Sequence, residues 1–179
     1  MTADPADQLQ AAANLLARGD LVLEAEWGLH RGLRRFPALR GKAPLGIRRL
    51  YTRGNGVTVY VRRKGDAAAD AMVEIAVFRA EDAQREEALC FFGSVAGIVC
   101  GFDASGAVFA DDPDYFEPSP GRVADDVDVW FHRVVHALAL RRDPRYWRRG
   151  NGTATGTRQT TEELIAKSKA AATSTTTLP

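Results

Sequence analysis

The chain has 179 residues, 45% of them hydrophobic and 26% charged, with a formal net charge of +1. This is the make-up of one ordinary globular domain with room for a continuous core, and it excludes a disordered or fibrous polymer. No apolar run approaches the ~20 residues of a membrane-spanning helix, Met1-Thr2-Ala3-Asp4-Pro5 lacks the pattern of a secretory leader, and two cysteines are too few for a disulfide scaffold.

A cytoplasmic, reduced protein without membrane association is therefore expected. The near-zero net charge hides a segregation. From Trp27 to Lys64 there are eleven basic residues and no acidic one, whereas Asp66 to Asp128 holds fifteen acidic residues against Arg79, Arg85 and Arg122. Either the two blocks neutralise each other across the fold, or one of them is a dedicated binding face.

In chain order, Asp4-Pro5 is a helix start. Asp4 can cap, Pro5 suits the first helical position, and Asp7 suits the positive end of the dipole. Leu9, Ala12, Ala13 and Leu16 then share one face, and Gly19 follows as the stop. From Asp20 to Leu29 two readings compete. Leu21, Leu23, Ala25, Trp27 and Leu29 alternate as in a strand, yet Asp20 could cap a helix with Leu23, Trp27 and His30 on one side. Arg31 to Arg49 is rich in Arg, Gly and Pro, which predicts a short helix at most and otherwise loop.

Asn55-Gly56 marks a turn, and Val57 to Val61 and Met72 to Phe78 read as strands. The polar Ala80–Glu87 segment predicts a short helix or loop. Leu89–Phe92, Gly97–Phe102 and Ala107–Phe109 predict three more strands, the last two joined by the tight turn Asp103-Ala104-Ser105-Gly106. Gly93 and Gly97 both read as turn glycines. An acidic, proline-punctuated loop runs from Asp111 to Arg122, and Val123-Ala124-Asp125-Asp126 leads into a helix. In that helix Val127, Trp130, Phe131, Val134, Val135 and Leu138 recur at three and four residues, forming one apolar stripe. The pattern predicts a single α+β domain over residues 1–149 and a flexible C-terminal tail over 150–179, whose composition is Gly/Thr/Asn-rich and then low in complexity.

Side chains able to carry chemistry are scattered. His132 and His136 have the spacing of helical metal ligands but lack the glutamate of the zinc-protease pattern and lie off the apolar stripe, so they read as surface histidines. Cys90 and Cys100 sit in apolar surroundings and read as core residues, and nothing near them or Ser94 supplies a base. Asp111-Asp112-Pro113-Asp114 resembles a hard-cation cluster without the closing glutamate of a calcium loop, and reads as solvated loop. No metal or cofactor is expected, and no enzymatic activity.

Two stretches pair charge with aromatic rings. Asp111, Asp112, Asp114 and Glu117 surround Tyr115 and Phe116, which is what a surface needs to engage a basic protein. Arg141 to Arg149 sets arginines around Tyr146 and Trp147, suited either to phosphate and base contact or to the end of a helix.

Taken together, Asn55-Gly56 at a strand entrance, Phe92-Gly93 before a central hairpin, the Gly-rich strand Gly97 to Asp103, the acidic stretch Asp111 to Glu117, and Ala124-Asp125 ahead of Trp130-Phe131 resemble the pattern of the SUKH superfamily. That superfamily includes fungal cell-wall-synthesis regulators and bacterial toxin-immunity proteins. The resemblance covers roughly half the chain; the basic segment before Asn55 and the C-terminal tail depart from it. It implies an α+β fold, a mostly antiparallel twisted sheet with N- and C-terminal helices packed on it. It also implies a non-enzymatic protein that blocks a nuclease- or deaminase-type toxin by occlusion. The contact residues are then expected at Asp111, Asp112, Asp114, Tyr115, Phe116 and Glu117. The alternative is a nucleic-acid-associated protein using the basic 27–64 segment, with Arg34, Arg35, Arg48 and Arg49 as its contacts.

Overall fold

The computed structural model describes residues 4–29, 42–65 and 72–142. Their elements in chain order are α1 (Pro5–Leu16), β1 (Leu21–Trp27), α2 (Leu45–Leu50), β2 (Val57–Arg63), β3 (Met72–Val77), β4 (Gln84–Glu86), β5 (Leu89–Val95), β6 (Ile98–Phe102), β7 (Val108–Asp111), β8 (Gly121–Ala124) and α3 (Val127–Ala139). All eight strands join one antiparallel sheet in the order β1-β2-β3-β5-β6-β7-β8, with β4 also paired to β5. This is the expected α+β architecture. Arg34, Arg35, the aromatic-arginine stretch beyond Arg142 and the 150–179 tail lie outside the described residues.

Local chemistry accounts for the helix ends. The Asp4 carboxylate accepts the Ala6 N–H at 2.9 Å, with Pro5 next in line. Asp126 does the same for α3, accepting the Val129 N–H at 2.7 Å. The ambiguity at Asp20–Leu29 falls to the strand. Leu23 and Trp27 are four apart, a spacing that returns to the same side in both helix and strand, so the segment alone cannot choose. Its partner chooses. Leu21 to Trp27 lies opposite Arg63 to Val57 without a break, and Leu23, Ala25 and Trp27 pack against the core.

The Asn55-Gly56 turn works through two different properties. Gly56 takes the positive φ of 89°, and a Cβ there would stand 2.5 Å from the Val77 carbonyl oxygen. Asn55 contributes its carboxamide instead, accepting the Ala80 N–H at 2.9 Å and donating to Glu81 at 2.8 Å. The entrance to β2 is thereby tied to the exit of β3.

Three expectations need correction. Ala80–Glu87 is neither helix nor plain loop, because Gln84–Glu86 forms β4 against Leu89–Phe91. Three exposed residues carry no periodic signal, so only the partner strand reveals them. Gly121–Ala124 is likewise a strand, β8, which pairs with β7 where loop was expected. Finally, β5 runs on through Val95, so Gly93 belongs to the sheet and the turn falls at Ala96-Gly97, both with positive φ.

The helices cover one face of this sheet. α1 and α3 pack on each other, α1 also on β1, and α3 also on α2 and β8. All six residues of the expected α3 stripe are buried. Trp130 meets Phe92 edge-on at 4.9 Å, and Phe92 meets Phe102 at 5.5 Å, joining the helix to β5 and β6. Cys90 and Cys100 lie in this core. Burial pushes the Cys100 thiol up to about 12, against the pull of the Trp130 indole. It pushes Cys90 up to about 11, against the charge of Arg85. Both are unreactive thiols at neutral pH.

Candidate partner-binding surface

The acidic loop between β7 and β8 is more anchored than its composition implies. Asp112 is only 1% exposed, and its carbonyl oxygen accepts the N–H groups of Tyr115 and Phe116 at 3.0 and 2.9 Å. The expectation that Asp112 meets a partner is therefore corrected: the tight turn it closes draws it inside. Phe116, expected among the same contacts, is half-buried. It packs against the core, and its ring occupies the space above Gly121, where a Cβ would fall 1.9 Å from the ring. Tyr115 leans edge-on against Phe116 at 4.7 Å and stays 37% exposed. Asp111, Asp114, Tyr115 and Glu117 thus face solvent. Ser119 donates to Asp111 at 2.9 Å and closes the base of the loop.

Asp111 also belongs to a second feature that the sequence reading missed. Since the helices cover one sheet face, alternation turns Phe91, Val99, Phe109 and Asp111 to the other. Between β4, β5, β6 and β7 this face forms an open depression of about 300 Å³, lined by Phe78, Phe91 and Val99 together with Asp82, Gln84, Glu86 and Asp111. Register places Gln84 beside Phe91 and Val99 beside Asp111. Phe78 and Phe91 are half-buried and Val99 is 37% exposed, while the three carboxylates are exposed. The signal available in the sequence was the alternation of Phe91 with Phe92 and of Phe109 with Val108. The acidic side was hidden because Asp82 and Glu86 sit on the unrecognised β4 and the turn before it.

The basic candidates are dispersed by comparison. Arg48 is exposed on α2. Its neighbour Arg49 bonds Asp128 at 2.7 Å, Arg53 bonds Asp4 at 3.1 Å, and Arg62 pairs with Glu24 across β1 and β2. The Lys64 ammonium donates to the Ala17 carbonyl. Of these contacts only Arg49–Asp128 joins the basic block to the acidic one; Arg53 and Arg62 pair with acids that precede the basic block. His132 and His136 stack at 5.9 Å on α3, both half-buried. Among the described residues no group of three or more His, Cys, Asp or Glu could hold a metal ion, and no helix is long and apolar enough to cross a membrane.

Comparison of the chain with models of known protein families, with curated proteins and with solved structures gave no match.

Proposed function

We propose that the chain is a non-enzymatic protein-binding module of the toxin-immunity kind, similar to the SUKH superfamily, which neutralises a nuclease- or deaminase-type toxin by occluding its substrate cleft. The observation that carries this reading is the acidic surface built from Asp111, Asp114 and Glu117 around the exposed ring of Tyr115, on a loop braced by Phe116 and Ser119. A protein that acts on nucleic acid carries a basic cleft. A braced acidic loop competes for that cleft at low entropy cost, with charge steering the encounter and the ring excluding water. The order of elements supports the same reading, with an N-terminal helix, a meandering sheet and a C-terminal helix closing its inner face. Of the contacts named for the nucleic-acid alternative, Arg49 is paired with Asp128 and Arg48 is exposed on α2.

On this reading the neighbouring upstream gene should encode a toxin-domain protein, and the test follows nucleic-acid cleavage or deamination by that protein as the chain is titrated in. Stoichiometric inhibition is expected. Asp114→Lys with Glu117→Lys should slow association and flatten its salt dependence, whereas Tyr115→Ala should speed dissociation. Binding of DNA or RNA at physiological salt by the purified chain, with no toxin partner inhibited, overturns the proposal.

A further inference from the structure

We propose that the depression between β4, β5, β6 and β7 anchors an arginine side chain projecting from an extended basic segment of a protein partner. The inference rests on the protein-binding reading above and names the chemistry that the surface selects. Three features converge on it. The floor is apolar and largely aromatic, made by Phe78, Phe91 and Val99; the rim is acidic, made by Asp82, Glu86 and Asp111; among the described residues no basic one lines it. The occupant must therefore be apolar along its length and cationic at its end. A long side chain of that kind lays its methylenes on the floor and keeps its charge at the rim.

Arginine fits this better than lysine. Its planar, weakly hydrated guanidinium stacks on the faces of rings such as Phe78 and Phe91 and offers several donors to carboxylates arranged around it. A phosphate or a nucleic-acid strand is repelled by the same rim. An apolar helix would leave the three carboxylates desolvated without partners. At about 300 Å³ the space lies at the lower end of what small-molecule sites occupy and is enough for one long side chain.

Beside the depression Gly101 lies opposite Phe91, and a Cβ there would stand 3.0 Å from that ring, so the ring rests against the glycine. Through Asp111 the depression continues into the acidic loop, so one extended segment can engage both.

The experiment is a titration of the full isotope-labelled chain, followed by amide NMR, with an acetylated and amidated pentapeptide carrying arginine at positions one, three and five and alanine between. The control peptide has citrulline, which is neutral and isosteric, at those positions. Shifts are expected at Phe78, Phe91, Val99 and Asp111 with the arginine peptide and not with citrulline. Asp82→Asn with Glu86→Gln should weaken binding about tenfold, equivalent to about 1.4 kcal/mol. Val99→Arg should abolish it by filling the depression from within. All three positions are exposed, so the folded spectrum is expected to persist as the internal check.

Equal shifts with citrulline, shifts confined to Asp114 and Glu117, or unchanged affinity in the Asp82/Glu86 variant each overturn the proposal. Shifts arising only from self-association of the chain, detected by concentration-dependent diffusion, overturn it as well. The two proposals fail separately. Peptide seated in the depression with no toxin inhibited leaves the anchor and removes the immunity reading. Toxin inhibition that survives Val99→Arg leaves the immunity reading and removes the anchor.

Discussion

Replacing Trp130 by alanine tests the joint on which the layers of this fold meet. Trp130 is 1% exposed, edge-on to Phe92 at 4.9 Å and tilted against Phe131 at 6.2 Å. Truncation removes the ring that connects α3 to the Phe92–Phe102 pair on the sheet. Deleting a buried aromatic of this kind costs ~3–5 kcal/mol, the lost transfer energy plus the cavity left behind. The better helix propensity of alanine returns only about 0.5 kcal/mol. For a domain of this size one kcal/mol corresponds to roughly 3 °C, so the melting midpoint should fall by about 8–14 °C.

The indole N–H allows a finer division. It is buried without a hydrogen-bond partner among the described residues, although it lies close enough to the Cys100 thiol to favour its ionised form. Trp130→Phe keeps most of the apolar surface and removes an unsatisfied donor, so it should cost about 1 kcal/mol, far less than alanine. The assay is urea denaturation followed by far-ultraviolet circular dichroism, which does not depend on the fluorescence of the residue being changed. A loss below about 1 kcal/mol for the alanine variant would contradict the placement of this face in the core. Equal losses for Phe and Ala would assign the energy to the N–H instead of the ring.

Two further outcomes follow from burial and hydrogen bonding. Asp112→Lys forces an unpaired ammonium into a site 1% exposed and should cost ~3 kcal/mol or more, while the exposed Asp114→Lys should stay within ~0.5 kcal/mol of the parent; equal losses in a thermal melt would return Asp112 to the surface. Asp103 sits in the β6–β7 turn. Partial burial raises its carboxyl pKa, but hydrogen bonds from the Ser105 hydroxyl and from the N–H groups of Ser105, Ala107 and Gly106 outweigh that and hold it below the ordinary value. A folded value below the unfolded one makes the ionised form stabilising above ~3.9, and this contribution is lost as pH falls through the folded value. The stability gap between parent and Asp103→Asn should therefore be flat from about pH 7 to 5 and narrow below about pH 4, and a gap still undiminished near pH 2 refutes the account.

What the amino-acid sequence determined by itself is whatever is settled within about ten residues. The Asp4-Pro5 cap, the helix entrance at Asp125-Asp126, the stripe from Val127 to Leu138, the Asn55-Gly56 turn and the Asp103–Gly106 turn all appear where their local chemistry puts them. A cap or a turn is a contact between near neighbours, and a helix stripe repeats often enough to be recognised without a partner. The tertiary structure decided the rest. β1 became a strand because β2, entered some 30 residues later, lies opposite all seven of its residues. β4 and β8 are too short to carry a period and exist only against β5 and β7. Asp112 reads as one more acid in an acidic run until the turn closed by Tyr115 and Phe116 draws it inside. The depression between β4 and β7 gathers residues from Phe78 to Asp111. Its apolar half reads as core until the helices take the opposite face, because a strand alternates its side chains without stating which side will be covered.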